Sequence, residues 1–129
     1  MTEASRIYPT FRFTDAEAVL KWLAEAFGFV EHAAYRDEQG AIIHAEMAFG
    51  SAMIMFGQAR EDAFAEIVGQ PIGAGGKAVY LAVDDADAMF AKATGAGAEI
   101  VQGLTERDYG SREFICRDPE GNVWSIGTY

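Results

Sequence analysis

Two stretches of the chain superimpose at a shift of 70 residues, and this internal repeat restricts the possible folds more than any other feature. "FRFTDAEAVLKWLAEAFGFVEHA" lies over "YLAVDDADAMFAKATGAGAEIVQ", with Thr14-Asp15-Ala16-Glu17-Ala18 matched to Asp84-Asp85-Ala86-Asp87-Ala88. Each copy reads as a strand, an acidic helix entry, a short helix and another strand. A single βαβββ unit would leave a half-apolar sheet uncovered and would not be stable alone. Two such units can curl their sheets around a shared cavity with helices outside. The expected fold class is therefore α+β, two βαβββ modules forming curled mixed sheets around a cavity.

The local signals fill in this frame. "IYPTFRFT" (7–14) is rich in β-branched and aromatic residues and reads as a strand. Ala16, Val19, Leu20, Leu23 and Phe27 follow at helical spacing, with Asp15 at the entry and Gly28 as the stop. "VEHAAYR", the turn "DEQG" and "AIIHAEMAF" read as a hairpin, and "SAMIMFG" as the next strand. Residues 57–76 break the pattern, with a helical turn in their middle and a linker at Pro71 and the glycines after it. "KAVYLAVD", a helix over "DADAMFAKATGAG", "AEIVQ", "REFICR" and "NVWSIGTY" complete the second set. The chain thus reads as one domain, 1–129, with repeat modules at about 5–57 and 77–129.

Length and charge narrow the function. At 129 residues the chain can bury a core without disulfides, and Cys116 alone forms none. No apolar run approaches the roughly 20 residues of a membrane span. "MTEASRIYPT" shows no secretory signal, so a cytoplasmic location is expected. A formal net charge of −10 opposes a general affinity for nucleic acid and suits a neutral or cationic small ligand. "GAGG" precedes a strand rather than a helix, so it is no phosphate loop.

The duplicated pattern, with "YLAVDDADAMFAKATGAGAEIV" and the ending "RDYGSREFICRDPEGNVWSIGTY", resembles the vicinal oxygen chelate superfamily, which includes glyoxalase I, bleomycin-resistance proteins, fosfomycin-resistance enzymes and extradiol dioxygenases. The resemblance runs from Ile7 to Tyr129 and is closest to small glyoxalase/bleomycin-resistance-like proteins. It implies a homodimer with trough-shaped sites. It also implies four metal-ligand positions, one on each of four strands, usually His, Glu, His and Glu. In this sequence they fall on Tyr8, Glu46, Ala78 and Ser125. A divalent transition metal wants several converging imidazoles or carboxylates, which this set does not offer. No metal and no cofactor are therefore expected.

Strand alternation from these positions puts Tyr8, Thr10, Arg12, His44, Glu46, Ala78, Tyr80 and Ser125 on the trough face. Phe11, Phe13, Val79, Leu81, Trp124 and Ile126, with Ile7, fall on the opposite, helix-packing face. His44 and Glu46 read either as a general acid–base or divergent metal pair, or as a polar pair satisfying each other or anchoring a ligand. His32 is expected on the other face or at an edge. In resembling proteins the loop before the penultimate strand closes over the trough, which makes Tyr109 a stacking residue and Arg112 a charged donor, unless Arg112 only pairs with an acidic neighbour.

The ligand-binding set is then Tyr8, His44, Glu46, Tyr80, Tyr109, Arg112 and Ser125, with no catalytic residue assigned. The function expected is metal-independent binding of an aromatic or cationic small molecule, bleomycin-resistance-like, in a homodimer without nucleic-acid or membrane partners. The alternative is a glyoxalase-type lyase/isomerase or a dioxygenase with a divergent metal site at His44 and Glu46. The sequence leaves open whether the protein is an enzyme.

Overall fold

The acidic helix entries of the repeat do the same work in both copies. Asp15 accepts from the Ala18 amide at 3.1 Å and Asp85 from the Ala88 amide at 3.0 Å, satisfying a free donor at each helix start. The helices they cap are α1 (Ala16–Phe27) and α3 (Ala86–Gly95). The computed structural model describes residues 4–129; residues 1–3, part of the stretch searched for a signal, lie outside them. Gly28 ends α1 in the left-handed region at φ 82, where its amide returns to the Ala24 carbonyl.

The strands are β1 (Thr10–Phe13), β2 (Val30–Arg36), β3 (Ile42–Phe49), β4 (Ala52–Gln58), β5 (Ala78–Ala82), β6 (Glu99–Glu106), β7 (Arg112–Arg117) and β8 (Val123–Gly127). A short α2 (Ala63–Val68), capped by Asp62, stands in the linker. The sheets repeat one topology, β1-β4-β3-β2 and β5-β8-β7-β6, each with one parallel pair and two antiparallel pairs. The fold is α+β with two four-stranded mixed sheets. The chain forms two compact units, one from the chain up to Ala24 with Gly28–Pro71, the other from Ile72–Tyr129 with Glu25–Phe27.

Along β1, β5 and β8 the alternation holds with one correction. Phe13, Leu81, Trp124 and Ile126 are buried on the helix-packing face, while Ala78, Tyr80 and Ala82 on the other face are open. Ile7 is exposed rather than packed, because β1 begins only at Thr10. Pro9 accepts from the Met55 amide but has no N–H to return, which ends the ladder there. In the second unit α3 lies against β6, β7 and β8, with Phe90 edge-on to Phe114 at 5.2 Å. Phe27 packs on Trp124 at 5.2 Å.

The Asp118-Pro119-Glu120-Gly121-Asn122 turn between β7 and β8 is built on a nearly buried carboxylate. Asp118 accepts from the Glu120 and Asn122 amides at 2.9 and 3.0 Å and from the fully buried indole N–H of Trp124 at 3.1 Å. Gly121, at φ 85, supplies the left-handed step. Removing the acceptor takes the Asp118 carboxylate away from the indole N–H and the turn amides. Asp118→Ala should therefore lower the unfolding free energy by about 2–4 kcal/mol, with Asp118→Asn intermediate, as read by urea denaturation.

Candidate functional site

The second sheet carries a side-chain cluster on its open face. Glu113 lies on β7 and its Cα partner on β8 is Gly127. Beyond β8, β5 supplies Tyr80, whose hydroxyl reaches across the glycine to donate to Glu113 Oε2 at 2.6 Å. Glycine is required at that crossing. A Cβ at position 127 would stand 2.4 Å from both Glu113 Cγ and Tyr80 Oη. From the loop between β6 and β7, the Tyr109 hydroxyl donates to Glu113 Oε1 at 2.7 Å and Arg107 Nε donates to the same oxygen at 3.1 Å. Ser111 also bonds the carboxylate, while its hydroxyl accepts from the Thr128 amide at 3.1 Å.

Glu113 is only 4% exposed. Burial pushes its pKa up, but hydrogen bonds from Tyr109, Tyr80, Ser111 and Arg107 outweigh burial and hold the carboxyl at about 2. The tyrosines move the other way. Burial, then the bond to Glu113, raises Tyr80; the bond to Glu113, then burial, raises Tyr109. Tyr129 completes the group, edge-on to Tyr80 at 6.1 Å and to Tyr109 at 5.7 Å. Tyr80, Tyr109, Tyr129 and Glu113 line an open concavity of about 520 Å³.

The first unit bears a different cluster. His44 Nε2 lies 2.9 Å from Glu46 Oε2. His32 Nε2 lies 3.8 Å from Glu46 Oε1, reaching it from β2, the strand at the edge of the sheet. The β2–β3 register shifts beside it, between Glu31 and Ala33. Tyr35 stacks beside His44 at 6.3 Å. Arg12 is committed to Asp62 at 3.0 Å and lies over the Phe64 ring at 5.1 Å. That guanidinium, with the Ala65 amide, holds the Asp62 carboxyl at about 2.

The sequence-derived site set is thus divided. Tyr80 and Tyr109 meet at Glu113. His44 and Glu46 meet on β3. Tyr8 precedes β1, and its carbonyl accepts from the Thr10 hydroxyl. Ser125 sits on β8 as the Cα partner of both Tyr80 and Ile115. Arg112 stays apart from the Glu113 cluster: its guanidinium is held by Asp87, in the first turn of α3, at 2.9 Å and by Glu106 at 3.1 Å. Adjacent strand residues point to opposite faces, so Arg112 cannot share the side of Glu113.

Register also corrects one of the four metal positions. Thr10 pairs with Met55 as Tyr80 pairs with Ser125, so the counterpart of Ser125 is Met55, and Glu46 is its β3 neighbour. In the first unit Tyr8 and Met55 offer a phenol and a thioether, and in the second Ala78 and Ser125 offer a methyl group and a hydroxyl. None of them is the imidazole or carboxylate a divalent transition metal wants. Among the described residues, no group of three or more His, Cys, Asp or Glu could hold a metal ion.

Sequence reasoning missed Glu113, Ser111 and Tyr129 and gave Arg107 no role. One signal was available: Glu113 is two residues from Ile115 and so shares its face.

Comparison with known proteins places this geometry. The model of the Glyoxalase/Bleomycin resistance protein/Dioxygenase superfamily matches residues 8–126. An uncharacterized protein of Mycobacterium bovis is 31% identical over 119 residues, 88% of this chain and 76% of that protein. TioX from Micromonospora sp. ML1 superimposes with a TM-score of 0.76 at 29% identity, covering 95% of this chain and 97% of its own. A glyoxalase/bleomycin resistance protein/dioxygenase family enzyme from Burkholderia phytofirmans PsJN gives 0.74 at 23% identity, over 93% and 94%.

Folding holds the Glu113 carboxyl at about 2, below its ordinary 4.5, so this group contributes stability above the ordinary value and loses it as the pH falls through about 2. The expected loss from this group is up to about 3 kcal/mol. Urea unfolding across that range should show a flatter acid limb for Glu113→Gln than for the unmodified chain, with the variant less stable at pH 7.

Proposed function

The chain belongs to the Glyoxalase/Bleomycin resistance protein/Dioxygenase superfamily, and within it we propose that it binds an aromatic or cationic small molecule without a metal, as a bleomycin-resistance-like sequestering protein. The observation that carries this is the concavity of the second unit. Three tyrosines border it, and the carboxylate among them already has its hydrogen bonds filled by the protein. Apolar ring surface supplies affinity there, and the fixed hydroxyls keep the rings from collapsing into the space. The side chains of Tyr8, Met55, Ala78 and Ser125 support the same reading, because none is an imidazole or a carboxylate. His44 and Glu46 would orient polar groups of the ligand, with Tyr8 and Ser125 at the margins.

The protein would act as a homodimer in the cytoplasm, the whole chain working as one domain of two repeat modules. Exposed apolar side chains at Phe64, Ile67, Val68 and Ile72 support self-association. No helix among the described residues is long and apolar enough to cross a membrane. The acidic balance opposes nucleic-acid binding.

A second reading rests on one observation, the two imidazoles flanking Glu46 at 2.9 and 3.8 Å. It makes the protein a lyase/isomerase or dioxygenase with a divergent metal at His44 and Glu46. Metal analysis separates the two. Protein purified without chelator should contain no stoichiometric nickel, zinc, manganese or iron, and EDTA should leave its melting temperature unchanged. A panel of aromatic and cationic compounds should raise the melting temperature, and Tyr129→Ala should remove that shift. Bound metal lost in His44→Ala would favour the second reading.

A further inference from the structure

We infer that the tyrosine concavity of the second unit is a cage for an alkylated ammonium group, quaternary or tertiary, rather than a slot for a flat ring; this rests on the small-molecule-binding reading above. Ring geometry decides between the two shapes. Tyr129 stands at 79° to Tyr80 and 88° to Tyr109, with centroids 6.1 and 5.7 Å away. A flat guest is held best between near-parallel faces. Rings meeting near right angles make a corner, which presents several surfaces to a compact, rounded group.

Hydrogen bonding decides the charge and the substitution. Tyr80 and Tyr109 donate to a carboxylate at 2.6 and 2.7 Å, which draws electron density into both rings and strengthens their attraction for a cation. The Glu113 carboxylate does not serve as the counter-ion. Its oxygens already accept from Tyr80, Tyr109, Arg107 and Ser111, and the Arg107 guanidinium at 3.1 Å offsets its charge. A primary ammonium brings three N–H donors and would find few acceptors here. A quaternary ammonium brings none and spreads its charge over C–H groups that pack on ring faces. The cage is preorganised: two hydroxyls are tied to Glu113, and the Tyr129 amide donates to the Tyr80 hydroxyl at 3.3 Å. The net charge of −10 favours the approach of cations.

The test is isothermal titration of the full chain with four probes: choline, its uncharged carbon isostere 3,3-dimethylbutan-1-ol, ethanolamine as a primary amine, and 2-naphthol as a flat neutral ring. Choline is expected to bind roughly tenfold more tightly than the isostere and than ethanolamine. Tyr129→Leu, an exposed position whose change should leave the melting temperature intact, should abolish that preference, and Tyr129→Phe should retain most of it. Equal binding of choline and its isostere overturns the inference, as does a preference that survives Tyr129→Leu. Tyr129-dependent binding of 2-naphthol without choline binding also overturns it, yet leaves the broader small-molecule reading standing. No binding by any probe overturns both.

Discussion

A carboxylate taken out of water must be satisfied by the protein around it, because an unpaired buried charge costs several kcal/mol. Glu113 meets this demand by collecting donors from three places in the sequence: Tyr80 on β5, Arg107 and Tyr109 in the loop after β6, and Ser111 at the entry to β7. One charge therefore fixes the strand, the loop and the strand entry relative to one another. Gly127 belongs to the same constraint. Tyr80 reaches Glu113 only because the intervening residue on β8 has no side chain. The concavity inherits its shape from these bonds, since they set where two of its three rings stand.

Duplication gives both sheets the same wiring but not the same chemistry. Counting along the paired strands, Tyr80 corresponds to Thr10, Ser125 to Met55, Gly127 to Gly57 and Glu113 to His44. The first sheet thus carries a histidine where the second buries its carboxylate, and a threonine where the second extends a phenol. Its acid, Glu46, sits one alternation further along β3, in partial contact with solvent and between two imidazoles. The repeat preserved backbone register and helix capping, which foldability demands. The open faces, on which little packs, diverged.

What could be read from the sequence divides along the same line. The repeat, the Asp15 and Asp85 caps, the Asp118 turn and the burial of Trp124 depend on local chemistry or strand alternation, so the residues themselves announce them. The Glu113 cluster depends on cross-strand register and on a five-residue turn that offsets β7 by one position from the simple repeat shift. Tyr80 and Tyr109 could each be singled out from the sequence, but not the carboxylate that joins them. The two readings of Arg112 turned on parity: next to Glu113 along β7, it had to face α3 and the carboxylate of Asp87. His32 approaches Glu46 from the edge strand β2, one of the two placements the sequence left open.

The protonation states of the cluster bear on whether it holds a molecule or transforms one. A general acid or base works best with a pKa near the operating pH. Here hydrogen bonding separates the groups instead. Glu113 is driven down to about 2, while Tyr80 and Tyr109 are raised above their usual 10. Near neutrality none of the three changes its charge, and each phenolic proton is committed to a carboxylate that has no reason to accept it fully. On the opposite face of β7, burial pushes the Cys116 thiol up to about 12, leaving no thiolate to attack. A cluster so arranged offers fixed ring faces and fixed dipoles near neutral pH. On the other sheet the arrangement differs, since His44 and Glu46 lie within hydrogen-bond distance of each other and within reach of solvent.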